Sequence, residues 1–315
     1  PKVQAALDNF FVDDLRRYPD PESQQLSQTI ADYHGVGIDN IFVGNGSDEV
    51  LGHAFNAFFR QSLPILFPDI TYSFYPVYCN LYGISYRRYA LTEQFEIDLS
   101  DYTTPNGGII FANPNAPTGV ATAPNAIREL LEQNRSSVVI VDEAYVDFAE
   151  EERSVAKLTQ QYPQLLVVQT LSKSRSLAGL RLGYAIGSEL LIEGLKRVKN
   201  SFNSYPIDQF ATVAAQASFA DEAYFQQRRQ QVIAQREYLV DALTRLDFTV
   251  LPSAANFVMA KPRQVAAAAL CAQLKNNNIL VRYFEKPRIN DYLRISVGSE
   301  QENQRLINAL ESLLT

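Results

Sequence analysis

A lysine stands in a polar turn that breaks an apolar, β-prone run. Leu165 to Val168 leads into Thr170-Leu-Ser-Lys-Ser-Arg, and Arg181 follows eight residues after Lys173. A lysine just past the end of a buried strand lies at the edge where a doubly wound sheet binds its ligands. There its ammonium can lose a proton and become a nucleophile towards an aldehyde. Gly179 and Gly183 flank Arg181 and let the backbone pass close to a ligand. An amine nucleophile with a fixed guanidinium suits an aldehyde cofactor that also carries a phosphate, which describes pyridoxal phosphate. Taken alone, the stretch also reads as a surface loop rich in Ser, Lys and Arg. Its company decides between the two.

Four more polar signals follow apolar runs. Gly44-Asn-Gly-Ser-Asp48 succeeds Ile41-Phe-Val and opens a helix. Gly46, Ser47 and Asp48 there either present N–H groups to a phosphate or simply cap the helix. Tyr72, after Ile65-Leu-Phe, either stacks on an aromatic ring or fills a turn. The run Asn113-Pro-Asn-Ala-Pro-Thr-Gly119 is a fixed turn, and its asparagine amides either serve a phenolic oxygen or only hold the turn. Asp142 ends the apolar run Val138 to Val141, where an unpaired carboxylate is costly. A protonated pyridine nitrogen would satisfy it, and Tyr145, three residues on, would reach the ring's phenolic oxygen. The alternative, a magnesium site of the Walker B kind, lacks the GxxxxGK[ST] half. The acidic run from Asp147 to Glu152 reads as a solvated face.

The elements that must position these residues alternate. Apolar runs at 65–67, 84–91, 109–112, 138–141, 165–168 and 184–186 are separated by turns or helical segments, the pattern of an α/β fold with a mostly parallel sheet. Helices are expected at 1–17, 23–33, up to about Phe59, at 190–200, and over a long stretch reaching Leu246. Strands near 248–251, 256–260, 279–284 and 292–297, with a closing amphipathic helix, read as a smaller α+β unit. The expected division is a large domain at 20–222 and a small one formed by 1–19 and 223–315.

Bulk properties narrow the function. A chain of 315 residues with 46% hydrophobic and 20% charged residues is ordinary for a globular protein. The net charge of -7 argues against nucleic acid or an anionic membrane surface as partner. No apolar run approaches a membrane span. Cys79 and Cys271 stand far apart and only two histidines occur, so neither a disulfide scaffold nor a Cys/His metal site is expected, and a reducing cytoplasm fits. The natural start is expected to precede Pro1.

In order, these motifs resemble the fold-type I aminotransferases of the aspartate-aminotransferase superfamily. Their wording is similar to the histidinol-phosphate aminotransferase branch: Val43-Gly-Asn-Gly-Ser-Asp-Glu49, Val141-Asp-Glu-Ala-Tyr145, Leu171-Ser-Lys-Ser-Arg-Ser-Leu-Ala-Gly-Leu-Arg-Leu-Gly183 and Leu293-Arg-Ile-Ser-Val-Gly298. Arg17-Tyr-Pro19, Ser253 to Val258 and Val281-Arg-Tyr-Phe284 extend the likeness over nearly the whole chain.

The resemblance implies that Lys173 bonds the cofactor aldehyde, Asp142 partners the pyridine nitrogen, Tyr145 binds the ring oxygen and Tyr72 stacks on the ring. It puts Gly46, Ser47, Asp48, Ser172 and Arg181 around the cofactor phosphate and gives Arg294 the anionic group of the substrate. It also implies a homodimer in which Tyr18 reaches the partner subunit's site. Where the family has a second asparagine in the proline turn, this chain has Ala116. Either Asn115 substitutes at the ring oxygen or Tyr145 makes that contact alone. The family's N-terminal arm is expected to lie before Pro1.

The expected activity is transfer of an amino group from histidinol phosphate to 2-oxoglutarate, in histidine biosynthesis. Its rivals are an aromatic amino-acid transaminase, a threonine-phosphate decarboxylase and a non-catalytic binding module on the same fold. A nicotinamide dehydrogenase is disfavoured because Gly44 to Asp48 lacks the third glycine of GxGxxG.

Overall fold

The computed structural model describes residues 1–150 and 153–314. Among them a larger sheet contains β1 (Ile41–Gly44), β2 (Ile65–Pro68), β3 (Tyr86–Tyr89), β4 (Ile109–Ala112), β5 (Val139–Asp142), β6 (Leu165–Thr170) and β7 (Gly183–Gly187). Their order is β1-β7-β6-β5-β4-β2-β3. The pairings from β3 through β6 are parallel, while β7 pairs antiparallel with both β6 and β1. Helices α1 (Lys2–Asp8) and α2 (Gln24–His34) come first. Then α3 (Ser47–Phe58), α4 (Tyr75–Tyr82) and α5 (Pro124–Gln133) join strands, and α6 (Glu189–Asn200), α7 (Gln209–Ala220) and α8 (Glu222–Arg245) follow the sheet.

The apolar runs form strands buried on both faces because successive side chains point oppositely, except that the run at 84–91 forms β3, whose Arg87 and Arg88 are exposed. Leu66, Ile109, Val139, Val141 and Val167 face a core shared with α2, α5 and α7. Phe67, Ile110, Ile140, Leu166 and Val168 face the other, shared with α3, α4 and α6. Fully burying each such side chain contributes roughly 1.5–3 kcal/mol. A second, antiparallel sheet holds β8 (Phe248–Val250), β9 (Phe257–Pro262), β10 (Arg282–Tyr283) and β11 (Leu293–Ser296) in the order β10-β11-β9-β8. Val258, Ala260, Leu293 and Ile295 pack against α8, α9 (Ala267–Asn276) and α10 (Glu300–Leu314). From the opposite face, Met259 meets Ile70 and Leu91, which follow β2 and β3. The second sheet is thereby seated beside the ends of the first. No described helix is long and apolar enough to cross a membrane.

Three sequence expectations change. The helix expected over 1–17 stops at Asp8 and resumes as a 3-10 turn at Val12–Arg16. Between the two, Phe10 stacks on Phe210 of α7, with ring centroids 4.2 Å apart. Lys2 adds bonds to Asp221 and Ala220, so residues 1–19, grouped in the sequence reading with 223–315, make these contacts at α7. The strand expected over 279–284 is reduced to two residues. Lastly, Asp147 does not lie on a solvated acidic face: it accepts from the Ser174 hydroxyl, and its carbonyl accepts from Arg229. Glu151 and Glu152 of that run lie outside the described residues.

Candidate active site

β5 and β6 end at one edge of the larger sheet, in Asp142 and Thr170, and β1 ends there in Gly44. Because β7 runs the opposite way, it begins at that edge, with Gly183 between Gly44 and Thr170. The residue two before it, Arg181, is thereby delivered to the start of α3 and the turn carrying Ser172 and Lys173. One reversed strand adds a cation to an edge otherwise built from strand ends.

A cavity of about 150 Å³ opens there. Ser47, Asp48 and Tyr72 line it from the α3 and α4 side, and Asp142, Tyr145, Ser172, Lys173 and Arg181 from the strand ends. Asp142 is buried. The Tyr75 hydroxyl donates to its Oδ2 at 3.1 Å and the Ala144 N–H to its Oδ1 at 3.2 Å. Burial pushes its pKa up to about 6, against the pull of those two donors and of Lys173. Among the described residues no cation forms an ion pair with it, so a cation entering the cavity would complete its surroundings.

The anion-holding parts converge opposite. Gly46 has φ +84°, and a Cβ there would lie 2.7 Å from Nη2 of Arg181, so only glycine lets the guanidinium lie against the start of α3. That guanidinium is 3.5 Å from Asp48. The Thr170 hydroxyl donates to Ser172 Oγ at 3.0 Å and fixes that side chain at the rim. The Tyr72 hydroxyl donates to Asp48 Oδ1 at 2.7 Å. Burial and this bond raise the Tyr72 pKa, so it stays a neutral phenol.

On the far side the site continues through rings. Lys173 Nζ lies 5.4 Å from the centre of the Tyr145 ring. Tyr145 meets Phe257 edge-on at 5.1 Å, and the Arg294 guanidinium lies over Phe257 at 5.1 Å and Phe284 at 5.5 Å. Directly across the β10–β11 pairing from Arg294 is Arg282, whose guanidinium is 5.3 Å from Phe284. Burial and the neighbouring Arg282 lower the Arg294 pKa, and Tyr145 opposes them. Neither arginine has a carboxylate partner among the described residues.

The structure does not bring every expected residue to the cavity. Asn115 is fully buried, and its Nδ2 donates to Ile70 O at 2.9 Å and Thr118 Oγ1 at 3.1 Å. Its donors are thus committed to Thr118 within the proline turn and to Ile70 after β2, and Ala116 lines the cavity in its place. Gly46 backs Arg181 rather than lining the space. Tyr18 is 81% exposed and stacks on Tyr205 at 4.7 Å, in a separate hollow with Phe10 and Phe11. Sequence reasoning passed over Tyr75, Thr170, Phe257 and Arg282. Thr170 was legible in the same strand-end motif as Ser172, and Arg282 in Val281-Arg-Tyr-Phe284, whereas Tyr75 carries no sequence signal that sets it apart from its neighbours.

Comparison with known proteins follows the same lines. A family model described as aminotransferase class I and II matches residues 3–310. The chain is 55% identical over 314 residues to the histidinol-phosphate aminotransferase 1 of Hydrogenovibrio crunogenus, covering 100% of this chain and 88% of that protein. It is also 55% identical over 314 residues to the protein of the same name from Methylococcus capsulatus, with 100% and 87% covered. A solved histidinol-phosphate aminotransferase from Sinorhizobium meliloti, in complex with pyridoxal-5'-phosphate, has a TM-score of 0.89 at 22% identity, over 100% of this chain and 87% of that one. That last likeness is one of fold.

Proposed function

Because the chain belongs to the class I and II aminotransferases, we propose that it is a pyridoxal-phosphate-dependent histidinol-phosphate aminotransferase of histidine biosynthesis. It would convert histidinol phosphate and 2-oxoglutarate to imidazole acetol phosphate and glutamate. The observation that carries this reading is the pair Arg294 and Arg282, stacked on rings beside Tyr145 and lacking any carboxylate partner among the described residues. A guanidinium fork matches both a phosphate and a carboxylate, so one site serves both amino donors.

The residues present fit the cofactor. Asp142 is a buried carboxylate with no cation in an ion pair with it among the described residues, Gly46 leaves room for a guanidinium, and hydroxyls and a helix start converge on the same cavity. When bound, pyridoxal phosphate supplies an aldehyde for the amine and a cationic ring that withdraws electrons. We assign Asp142 to holding the proton on the ring nitrogen, with Tyr75 and Ala144 fixing the carboxylate. Tyr72 would cover the ring, and Tyr145 would donate to its phenolic oxygen in place of Asn115. Ser47, Ser172 and Arg181 hold the phosphate. Lys173 would hold the aldehyde carbon, and its amine would take and return the proton at the substrate α-carbon. Arg294 orients that substrate by its anionic end.

Replacing Arg294 with alanine should weaken both half-reactions. Loss of charge-assisted bonds worth about 1.5–3 kcal/mol corresponds to roughly 10- to 150-fold in KM for histidinol phosphate and for glutamate. Single-turnover absorbance with each amine alone measures it. An effect on one donor only would mean the two anions use different residues. In the same assay, histidinol phosphate should outrun tyrosine and histidinol without phosphate, and threonine phosphate, which carries the carboxylate a decarboxylase would remove, should release no carbon dioxide when the gas is trapped and counted. Preference for tyrosine, or carbon dioxide release, would favour the rival activities.

We further propose a cytoplasmic homodimer in which Tyr18 enters the partner subunit's site. The exposed cluster of Phe11, Val12, Leu15, Tyr18, Phe202 and Tyr205 is apolar enough to be covered by a second copy. A phenol placed at the cofactor phosphate would add a charge-assisted bond. Mixing inactive Lys173→Ala subunits with inactive Tyr18→Ala subunits should restore activity, because one of the two sites then regains both residues. Heterodimers that form without recovering activity would remove Tyr18 from the partner's site.

A further inference from the structure

We propose that Arg236 is a positioning residue for the anion end of the site, holding the Phe257–Arg294 stack at a fixed offset from Tyr145. It lies on α8, with 3% of its side chain exposed. Its Nη1 donates to two backbone carbonyls, Phe148 O at 2.8 Å and Ala255 O at 3.3 Å. Phe148 comes three residues after Tyr145, in the turn that follows β5. Ala255 comes two residues before Phe257, at the entry to β9. One nitrogen therefore joins the segment that carries Tyr145 to the segment that carries Phe257, and the two rings meet on the cavity side.

The rest of the guanidinium keeps that nitrogen in place. Nε donates to Glu237 at 2.9 Å and Nη2 to Glu150 at 3.4 Å, both through exposed carboxylates, so the buried charge is balanced from the solvent side. Seven residues earlier, hence on the same face of α8, Arg229 binds the carbonyls of Asp147 and Ala149. Arg229 ties the turn after β5 to α8. Arg236 alone of the two also takes the second sheet's entry strand. The reach from α8 through Ala255 to Phe257 and Arg294 sets where a substrate anion is held relative to Lys173.

This inference rests on Arg294 receiving the substrate anion, and the test separates the two. Wild type, Arg236→Met, Arg236→Lys and Arg294→Ala, each loaded with cofactor, would be titrated calorimetrically with methyl phosphate, alongside steady-state kinetics and cofactor absorbance. A displacement of order 1 Å predicts that Arg236→Met binds methyl phosphate about 10- to 100-fold more weakly. KM for histidinol phosphate and glutamate should rise in step, with kcat within about threefold, because binding is lost in ground and transition state alike. Cofactor content should not change, since Lys173, Asp142 and Arg181 sit at the ends of the larger sheet's strands, away from Ala255 and β9. Arg236→Lys keeps the charge without the planar fork and should show the same pattern at smaller size, which keeps the test open where methionine prevents folding.

Leu274→Ala serves as control, loosening the second unit's core away from the site. It should lower Tm and leave methyl phosphate binding intact. Wild-type binding in both Arg236 variants, or an equal loss in Leu274→Ala, would overturn the positioning role. Wild-type binding in Arg294→Ala would instead overturn the assignment of Arg294.

Discussion

Replacing Lys173 with alanine should reduce turnover of histidinol phosphate by about 10,000-fold, the upper end for loss of a positioned acid–base group. Among the described residues the site has no second amine to take over. Among the described residues that line the cavity, Lys173 is the one lysine. The variant should still bind cofactor through Ser47, Ser172 and Arg181, so a loss of turnover with full cofactor content isolates the amine's role. Lys157→Ala and Lys196→Ala, remote from the cavity lining, should stay within about twofold of wild type. Steady-state rates at saturating substrate, with cofactor content read by absorbance, measure all three. Turnover near wild type in Lys173→Ala would remove this lysine from the reaction.

The second large effect is expected at Asp142. Asparagine preserves the shape and an acceptor for the Ala144 N–H but removes the charge, and turnover should fall by roughly 100- to 1,000-fold, as for other preorganised electrostatic partners. The pH dependence sharpens the test. In the protein without cofactor, burial pushes the Asp142 pKa up to about 6. A cationic ring nitrogen beside it favours the ionised form and lowers that pKa. Binding of the protonated ring therefore takes up the ionised carboxylate, and wild-type cofactor affinity should weaken as pH falls below about 6. Asp142→Asn should bind more weakly throughout and lose that acid limb. Titrating cofactor into stripped protein from pH 5 to 8 reads both quantities. An unchanged acid limb in Asp142→Asn would assign the titration to another group.

The strand-end geometry was legible because the apolar runs that build β5 and β6 stop where a polar residue must face a ligand, at Asp142 and at Ser172–Lys173. Even the reversed β7 kept Arg181 at that edge, since a strand entering from the opposite direction starts where the others finish. What stayed hidden was side-chain direction and long-range contact. The proline turn was recognised, but nothing in its residue types says that the Asn115 amide turns inward to Ile70 rather than outward to the cavity. Tyr75 carried no signal of its own, because its meaning comes from Asp142, 67 residues away. Arg236 sat unnoticed within a polar helix, 88 residues from one of its carbonyl partners. The first helix was overextended because Phe10 and Phe11 continue its apolar spacing. Only the position of Phe210 shows why Phe10 leaves it.

The most direct measurement is borohydride reduction of the cofactor-loaded protein followed by peptide mapping. Lys173 lies in the cavity beside Tyr145, Ser172 and Arg181, so a single stable pyridoxyl label is expected on the peptide that contains Lys173. A label on the peptides of Lys157 or Lys196, or no label on protein that has bound cofactor, would contradict the assignment of this cavity as the active site.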